Sequence, residues 1–202
     1  MPTNVKEWLW YKFVKSNKGI ELKVIETILS GCLIIEPAIM KDQRGYFFES
    51  FNSNRFNKAV ACEINFIQDN QSFSKRGVLR GLHFQKGSFS QAKLVRVIEG
   101  EVLDVVVDIR QDSSTFGRHF SILLSSENKK QLFIPRGFAH GFVVLSKVAQ
   151  FFYKCDNYYN KASEGGIAYN DPSLNIDWQI DEKELIVSEK DLLLPSLQNT
   201  HF

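Results

Sequence analysis

The residues best suited to chemistry in this chain lie between Gly77 and Gly100, in the stretch GVLRGLHFQKGSFSQAKLVRVIEG. Its β-branched and aromatic residues are interrupted by side chains that are cationic or can form hydrogen bonds: Arg80, His83, Gln85, Lys93 and Arg96. This pattern predicts two paired strands that present polar side chains, which indicates a site as well as a core. An imidazole has an unperturbed pKa of roughly 6.5, so His83 is suited to proton transfer near neutral pH.

A second stretch, FIPRGFAHGFVVL from residue 133 to residue 145, contains a Pro-x-Gly-x-x-His turn that ends in His140. We expect the two stretches to line one face of a small β-barrel. Period two would place His83 and Gln85 on one face of their strand, with Arg80 on the other face or at a bend made by Gly81. A glycine at that point also lets a ligand approach the backbone closely.

The elements that must position these residues are short strands. From Leu22 onward, apolar or alternating runs are separated by turns rich in Gly, Asn, Asp and Ser. This pattern predicts an all-β barrel or sandwich of the jelly-roll kind, with a hairpin turn at Glu99-Gly100. A few short helices are expected, at residues 52–59, which open with good N-cap residues, around 181–185 and around 188–193.

Net charge, apolar runs and cysteine usage limit the classes of function that fit this chain. The formal net charge of +2 over 202 residues gives no support for nucleic-acid binding or for recruitment by an anionic membrane. No apolar run reaches the roughly 18 residues of a membrane span, and no signal-peptide pattern opens the chain. Three widely spaced cysteines without a CxxC pair suit free thiols in a reducing compartment, so we expect a cytoplasmic protein.

Residues 1–22 differ from the rest and are interpreted as an N-terminal extension of unknown role, while residues 23–202 form a single domain. The extension is rich in Lys and brings Trp8, Trp10, Tyr11 and Phe13 close together. A short amphipathic helix is one interpretation, with its aromatic side chains packed on the barrel or on a partner subunit. A loosely ordered segment and a membrane-surface helix are the alternatives.

A strand that carries a histidine, followed later in the chain by a Pro-x-Gly-x-x-His turn, resembles the pattern of the cupin superfamily. Metal-binding cupins need a His-x-His pair, a glutamate a few residues on and the later histidine, because a transition metal requires three or four converging ligands. Here Gln85 replaces the second histidine, and the cation Lys93 stands near the place of the glutamate. We therefore expect no metal and a site that works by acid and base.

A closer resemblance, over about Leu33 to Pro195, is to the dTDP-4-dehydrorhamnose 3,5-epimerase family. It is carried by nine motifs in this order: DQRGYFFE (42–49), QDN (68–70), VLRGLHFQ (78–85), KLVR (93–96), GEVLDVVVDIR (100–110), IPRGFAHGF (134–142), NYY (157–159), SEG (163–165) and SEKD (188–191). The resemblance does not extend to the first two dozen residues.

The resemblance implies an enzyme that inverts C3 and C5 of dTDP-4-keto-6-deoxy-D-glucose through enolates, without a cofactor, in dTDP-rhamnose biosynthesis. By the same resemblance, His83 is the base and Asp191 the carboxylate that orients it. Lys93 faces the C4 oxygen of the sugar, and Tyr153 returns a proton on the opposite face. From the residue pattern alone, Tyr153 would be interpreted as a core residue and Asp191 as an exposed helix carboxylate.

The resemblance also implies a homodimer with shared active sites. The residues that match substrate contacts of the family are Arg44, Glu49, Gln68, Asn70, Arg80, His140, Tyr159, Glu164 and Lys190. Guanidinium groups suit phosphate oxygens, and Tyr159 matches the residue that stacks on the base. In the family, the early strand that carries Arg44 and Glu49 reaches across the dimer interface.

Three alternatives remain open at this point. A related enzyme that epimerises only C3 or only C5 can keep His83, Lys93 and Asp191, although Tyr153 favours the double epimerase. A non-catalytic cupin that binds a sugar or an anion would be expected to lack one catalytic member. A metal-dependent cupin oxygenase is opposed by Gln85 and Lys93.

Overall fold

The computed structural model describes the backbone of residues 11–14 and the whole of residues 22–202. The strands are β1 (Tyr11–Val14), β2 (Leu22–Glu26), β3 (Leu33–Glu36), β4 (Met40–Asp42), β5 (Gly45–Phe47), β6 (Gln68–Lys75), β7 (Val78–Gln85), β8 (Lys93–Glu99), β9 (Glu101–Asp108), β10 (His119–Ser125), β11 (Gln131–Ile134), β12 (Phe138–Val144), β13 (Val148–Cys155), β14 (Glu164–Gly166) and β15 (Ile186–Val187). The described residues also form two α-helices, α1 (Ser53–Val60) and α2 (Glu189–Leu192), and four short 3₁₀ helices at Gly87–Phe89, Lys161–Ser163, Glu182–Glu184 and Leu197–Asn199. No helix in this part of the chain is long and apolar enough to span a bilayer.

The strands form two packed sheets. One has the order β1-β2-β3-β11-β8-β13-β6, and the other has the order β10-β9-β12-β7-β14, with β15 paired in parallel to β7. Strands β4 and β5 make a separate hairpin. This arrangement confirms the predicted all-β, cupin-like fold with a few short helices.

Two predictions of strand pairing were wrong. Strand β7 pairs with β12, β14 and β15, whereas β8 pairs with β11 and β13. The two strands between Gly77 and Gly100 therefore belong to opposite sheets and do not pair with each other. The turn at Glu99-Gly100 does not close a hairpin, because β8 and β9 also lie in different sheets. Gly100 is required there: its φ is +80°, and a Cβ would lie 2.0 Å from the carbonyl oxygen of Val148.

Three apolar clusters hold the layers together. The first lies between the sheets and combines residues such as Val95, Val106 and Phe151 from both of them. The second covers the outer face of the β7-containing sheet with residues of the C-terminal segment, including Trp178. The third packs α1 on the outer face of the other sheet through Phe56. Each sheet is therefore covered by apolar side chains on both faces over its core. Polar side chains occupy one end of the space between the two sheets.

The helix predictions had mixed outcomes. Helix α1 is confirmed: the Asn52 side chain accepts the backbone N–H of Arg55 at 3.1 Å, as an N-cap residue does. The segment around 181–185 makes only a 3₁₀ turn at Glu182–Glu184, and α2 lies within the predicted 188–193.

An amphipathic helix in the N-terminal extension was wrong for Tyr11–Val14, which pair with β2 as a strand. The predictions for the aromatic side chains of the extension, Trp8 and Trp10 among them, lie outside the described residues.

Candidate active site

An open cleft of about 630 Å³ lies between the two sheets. Strands β7 and β12 form one wall and β6, β8 and β13 the other, while residues 159–164 and 186–191 border the mouth. Ten of the thirteen predicted site residues line this cleft: Asn70, Arg80, His83, Lys93, His140, Tyr153, Tyr159, Glu164, Lys190 and Asp191.

A bulge in β7 decides which of its side chains enter the cleft. His83 pairs with His140 and Arg80 pairs with Phe142, so two residues of β7 stand opposite the single residue Gly141. The extra residue shifts the alternation, and Arg80, His83 and Gln85 all face the cleft. The predicted bend at Gly81 is therefore the correct alternative. Gly81 has a φ of +130°, and a Cβ would lie 2.6 Å from the Cα of Gly141.

His83 is held by a buried carboxylate. Its Nε2 lies 2.7 Å from Oδ1 of Asp191, whose other oxygen accepts the backbone N–H of Gly81 at 3.3 Å. Asp191 is only 4% exposed, and the first turn of α2 positions it behind the N-cap residue Ser188. Burial raises the pKa of Asp191, but the hydrogen bond and charge of His83 and the Gly81 N–H outweigh burial, and the pKa lies below its usual value. Asp191 is therefore a carboxylate facing the imidazole at neutral pH.

Lys93 enters the cleft from the opposite sheet. The residue is partly buried, and its side chain makes no hydrogen bond or ion pair with any residue in the described part of the chain. Burial lowers the pKa of its ammonium group, and the neighbouring groups Cys155, Asp104 and Glu164 oppose that shift. Cys155 lies directly beside Lys93 in the β13–β8 ladder. An ammonium without a resident partner is available to a negative charge on a ligand.

Tyr153 projects from β13 into the same cleft and also packs against the cluster between the sheets. Burial is the main reason that the pKa of its phenol is raised, with a further contribution from Cys155 and an opposing one from Arg80. The phenol is consequently protonated at neutral pH. Tyr153 thus combines the core role suggested by its aromatic strand with a place in the site.

A second histidine–carboxylate pair lies beside the first. His140 Nε2 is 2.9 Å from Oδ2 of Asp104, and both side chains are buried. Oδ1 of Asp104 has no hydrogen-bond partner among the described residues. Sequence reasoning gave Asp104 no role. The available signal was its alternation with apolar residues in β9, whose polar face turns out to face the barrel interior.

The mouth of the cleft carries a small polar network. The Tyr159 hydroxyl donates to Oε2 of Glu164 at 3.0 Å, and Lys190 Nζ lies 2.5 Å from Oε1 of the same carboxylate. Burial raises the pKa of Glu164, but the contacts with Lys190 and Tyr159 outweigh it, and the pKa is lowered. In the same cleft the side chain of Arg80, which is exposed, donates through Nε to the Ser74 hydroxyl at 3.2 Å, and its terminal nitrogens remain for a ligand.

Comparison with known proteins identifies the family. The family model for dTDP-4-dehydrorhamnose 3,5-epimerase matches residues 26–199. The chain belongs to this family. It is 51% identical to the dTDP-4-dehydrorhamnose 3,5-epimerase of Salmonella typhimurium over 174 residues, which cover 86% of this chain and 94% of that protein.

Solved structures agree with this assignment. The dTDP-4-dehydrorhamnose 3,5-epimerase of Elizabethkingia anophelis superposes with a TM-score of 0.87 and 52% identity, covering 90% of this chain and 99% of that one. A dTDP-6-deoxy-D-glucose-3,5-epimerase of Legionella pneumophila was solved in complex with dTDP-4-keto-L-rhamnose. It superposes with a TM-score of 0.85 and 48% identity, covering 88% of this chain and 94% of that one. The resemblance carried by the nine motifs is confirmed, and the chain is an isomerase of the epimerase type.

Three predicted substrate contacts of this epimerase lie outside the cleft. Arg44 is exposed on the β4–β5 hairpin and pairs with Asp42, while Glu49 pairs with Arg55 at 2.9 Å. Gln68 lies next to the cleft, where its side chain bonds Asn70 and the backbone N–H of Tyr159.

Arg96, the last of the polar residues noted between Gly77 and Gly100, does not line the cleft. Arg96 is turned to the outer face of its sheet, with its guanidinium 5.4 Å from the ring centre of Phe152. Over the described residues, no three His, Cys, Asp or Glu side chains come together in the way a metal ion would need.

Proposed function

We propose that this chain inverts both C3 and C5 of dTDP-4-keto-6-deoxy-D-glucose and yields dTDP-4-keto-L-rhamnose for dTDP-rhamnose biosynthesis. The observation that carries the proposal is the cleft itself, in which a histidine–carboxylate pair on one sheet faces an ammonium and a phenol on the other. The ligand in the Legionella pneumophila structure, at 48% identity, supports this substrate class.

The chemistry follows from the C4 ketone. A hydrogen on C3 or C5 is acidic because the electron pair left after its removal delocalises onto the C4 oxygen as an enolate. We assign His83 as the base that takes this proton. The Asp191 carboxylate at 2.7 Å holds the ring and stabilises the imidazolium that forms.

Lys93 is assigned to the enolate oxygen. Its ammonium has no partner among the described residues, so a developing negative charge on the C4 oxygen gains an interaction that the ground-state ketone lacks in full. Such a donor acts mainly in the transition state and raises turnover more than affinity.

Tyr153 is assigned as the acid that returns a proton to the opposite face of the sugar. It projects from β13, whereas His83 projects from β7 in the other sheet, so the two groups approach a bound ring from opposite sides. Each inversion leaves a proton on His83 and removes one from Tyr153. Both groups must therefore exchange protons with solvent before the second carbon is inverted.

The nucleotide half of the substrate is assigned to the remaining polar groups. Arg80, His140, Asn70 and Lys190 would contact the sugar and the diphosphate, and Tyr159 and Glu164 the base. The supporting observation is that Arg80 keeps its terminal guanidinium nitrogens unpaired within the described residues.

We also propose a homodimer in which Arg44 and Glu49 of the partner subunit complete each site, with Gln68 as a further contact. The β4–β5 hairpin supports this, because it exposes the apolar side chains of Tyr46 (56%) and Phe47 (66%) next to Arg44. Exposed aromatic residues beside a cation are typical of an interface. Residues 1–22 are proposed to be an N-terminal extension of the single epimerase domain of residues 23–202, to whose larger sheet Tyr11–Val14 add strand β1.

A cytoplasmic location is part of the same proposal. It is supported by the cysteines: all three are free, with Cys32 and Cys155 buried and Cys62 exposed. An exposed free thiol is typical of a reducing compartment.

The test is proton NMR of chelator-treated protein with dTDP-4-keto-6-deoxyglucose in deuterated water. We expect deuterium exchange and inversion at both C3 and C5. Exchange at one carbon only would reassign the chain to a single-site epimerase, and no exchange at either carbon would leave a protein that binds sugar without catalysis.

A further inference from the structure

Gln85 has no role in the chemistry proposed above, although its side chain points into the cleft from the strand that carries His83. It is 8% exposed, and its Oε1 accepts the backbone N–H of Asn160 at 2.9 Å. Metal-binding cupins have a histidine ligand at this position of the motif. In this chain the residue at that position is Gln85, and its side chain instead binds a loop that borders the mouth of the cleft.

Gln85 holds this loop at two points. Asn160 begins a short turn, and its own side chain accepts the N–H groups of Ala162 and Ser163 at 2.9 and 3.1 Å. The turn leads into β14, where Glu164 pairs with Gln85 across the two strands. The side chain of Gln85 therefore binds the start of the turn, and its backbone pairs with the residue at the end.

Tyr159 immediately precedes the residue that Gln85 holds. Its backbone N–H donates to Gln68 at 3.1 Å, and its hydroxyl donates to Glu164 at 3.0 Å. The residue is nevertheless 53% exposed. Tyr159 is thus held at its backbone and at its hydroxyl while about half of its surface stays open to solvent.

We propose that Gln85 is a positioning residue that fixes Tyr159 as the stacking surface for the thymine base. The inference rests on the proposed function, since it assumes a thymidine nucleotide as ligand. A ring that is ordered before binding loses little conformational entropy when a base stacks on it. Without the Gln85 acceptor, the Asn160 N–H loses its partner and the loop that carries Tyr159 loses one of its anchors.

The test is Gln85→Met, which keeps the length of the side chain but removes the amide acceptor. We expect KM and the inhibition constant of dTDP to rise about tenfold, equivalent to about 1.4 kcal/mol. We expect kcat to stay within about twofold, because stacking on the base is shared by ground state and transition state. Inorganic pyrophosphate, which has no base, should inhibit the variant and the wild type equally.

Two comparisons separate positioning from a general structural effect. Gln111→Met makes the same substitution at an exposed residue away from the cleft and should match the wild type. In a Tyr159→Ala background, Gln85→Met should cause no further loss of dTDP affinity, because residues that act as a unit are not additive.

Equal weakening of pyrophosphate and dTDP, or full additivity with Tyr159→Ala, would overturn the inference. Wild-type turnover is measured first: a wild type that neither binds dTDP nor turns over refutes the proposed function, whereas an active wild type with an unaltered Gln85→Met variant refutes only the role of Gln85. Should Gln85→Met not fold, Gln85→Asn, which is one methylene shorter, repeats the test.

Discussion

Replacing Asp191 with Asn tests the catalytic pair directly while changing almost no volume. Both carboxylate oxygens accept N–H donors, one from His83 at 2.7 Å and the other from Gly81 at 3.3 Å. An asparagine side chain has one acceptor oxygen and an NH₂ group. In either orientation, one of these two N–H donors therefore faces another donor instead of an acceptor.

The magnitude follows from the loss of the charge. A hydrogen bond to a charged group contributes about 1.5–3 kcal/mol, and the imidazolium exists only after His83 has taken the proton. Because each 1.36 kcal/mol is a factor of ten, we expect Asp191→Asn to slow proton abstraction about 10- to 150-fold. Affinity for dTDP should change little, since Asp191 lies behind His83 and is 4% exposed.

The assay is single-turnover deuterium exchange at C3 and C5, combined with a dTDP inhibition constant for the same preparation. Asp112→Asn, at an exposed loop position, is the matched control and should behave as wild type. Exchange at the wild-type rate in Asp191→Asn would refute the role of the pair, and so would a loss of dTDP affinity large enough to account for the whole defect.

Three further variants test other parts of the molecule. Lys93→Met removes the donor assigned to the enolate and should lower kcat about 10²- to 10³-fold with little change in KM, whereas a pure KM effect would contradict the assignment. Tyr153→Phe should lower turnover about 10²- to 10⁴-fold but slow deuterium exchange less, and equal losses would argue against a proton-returning acid. Asp108→Asn should destabilise the fold by about 2 kcal/mol above pH ~4, because burial raises the pKa of Asp108 but bonds from Arg110, Ser113 and Thr115 bring it down from 3.8 to about 2. Since the folded-state pKa is depressed, this contribution is lost as pH falls from about 4 through 2. The free energies of unfolding of the wild type and of Asp108→Asn, measured with denaturant, should therefore converge in that pH range.

Much of the strand pattern could be predicted because it depends on local alternation. Strands β7, β8, β9 and β13 lie where runs of alternating residues placed them, and α1 begins behind its N-cap residue. The pairing of those strands could not be predicted in the same way. Strands β7 and β8 look like neighbours in the chain, yet the crossing between them carries the chain from one sheet to the other. Pairing depends on contacts between distant residues, which no local pattern reports.

The candidate site, like the strand pairing, could be predicted from the sequence only in part. His83, Lys93, Tyr153 and Asp191 were identified through the family motifs, and the structure brings these residues from four separate segments to one cleft. Asp104 was missed, because a carboxylate that alternates with apolar residues is normally interpreted as solvent-facing. Its burial follows from the closure of two sheets over that face of β9, and closure is a property of the whole fold.

By itself, the amino-acid sequence determined the fold class, the family and the types of groups available for chemistry, since composition, alternation and motif order are all properties of the linear chain. Only the tertiary structure decided that Arg80, His83 and Gln85 share one face, because a single extra residue opposite Gly141 reverses the alternation of β7. It alone also showed that Gln85 binds the Asn160 backbone, since that contact joins residues 75 positions apart. Such contacts arise only when the two sheets and their loops have closed around the cleft.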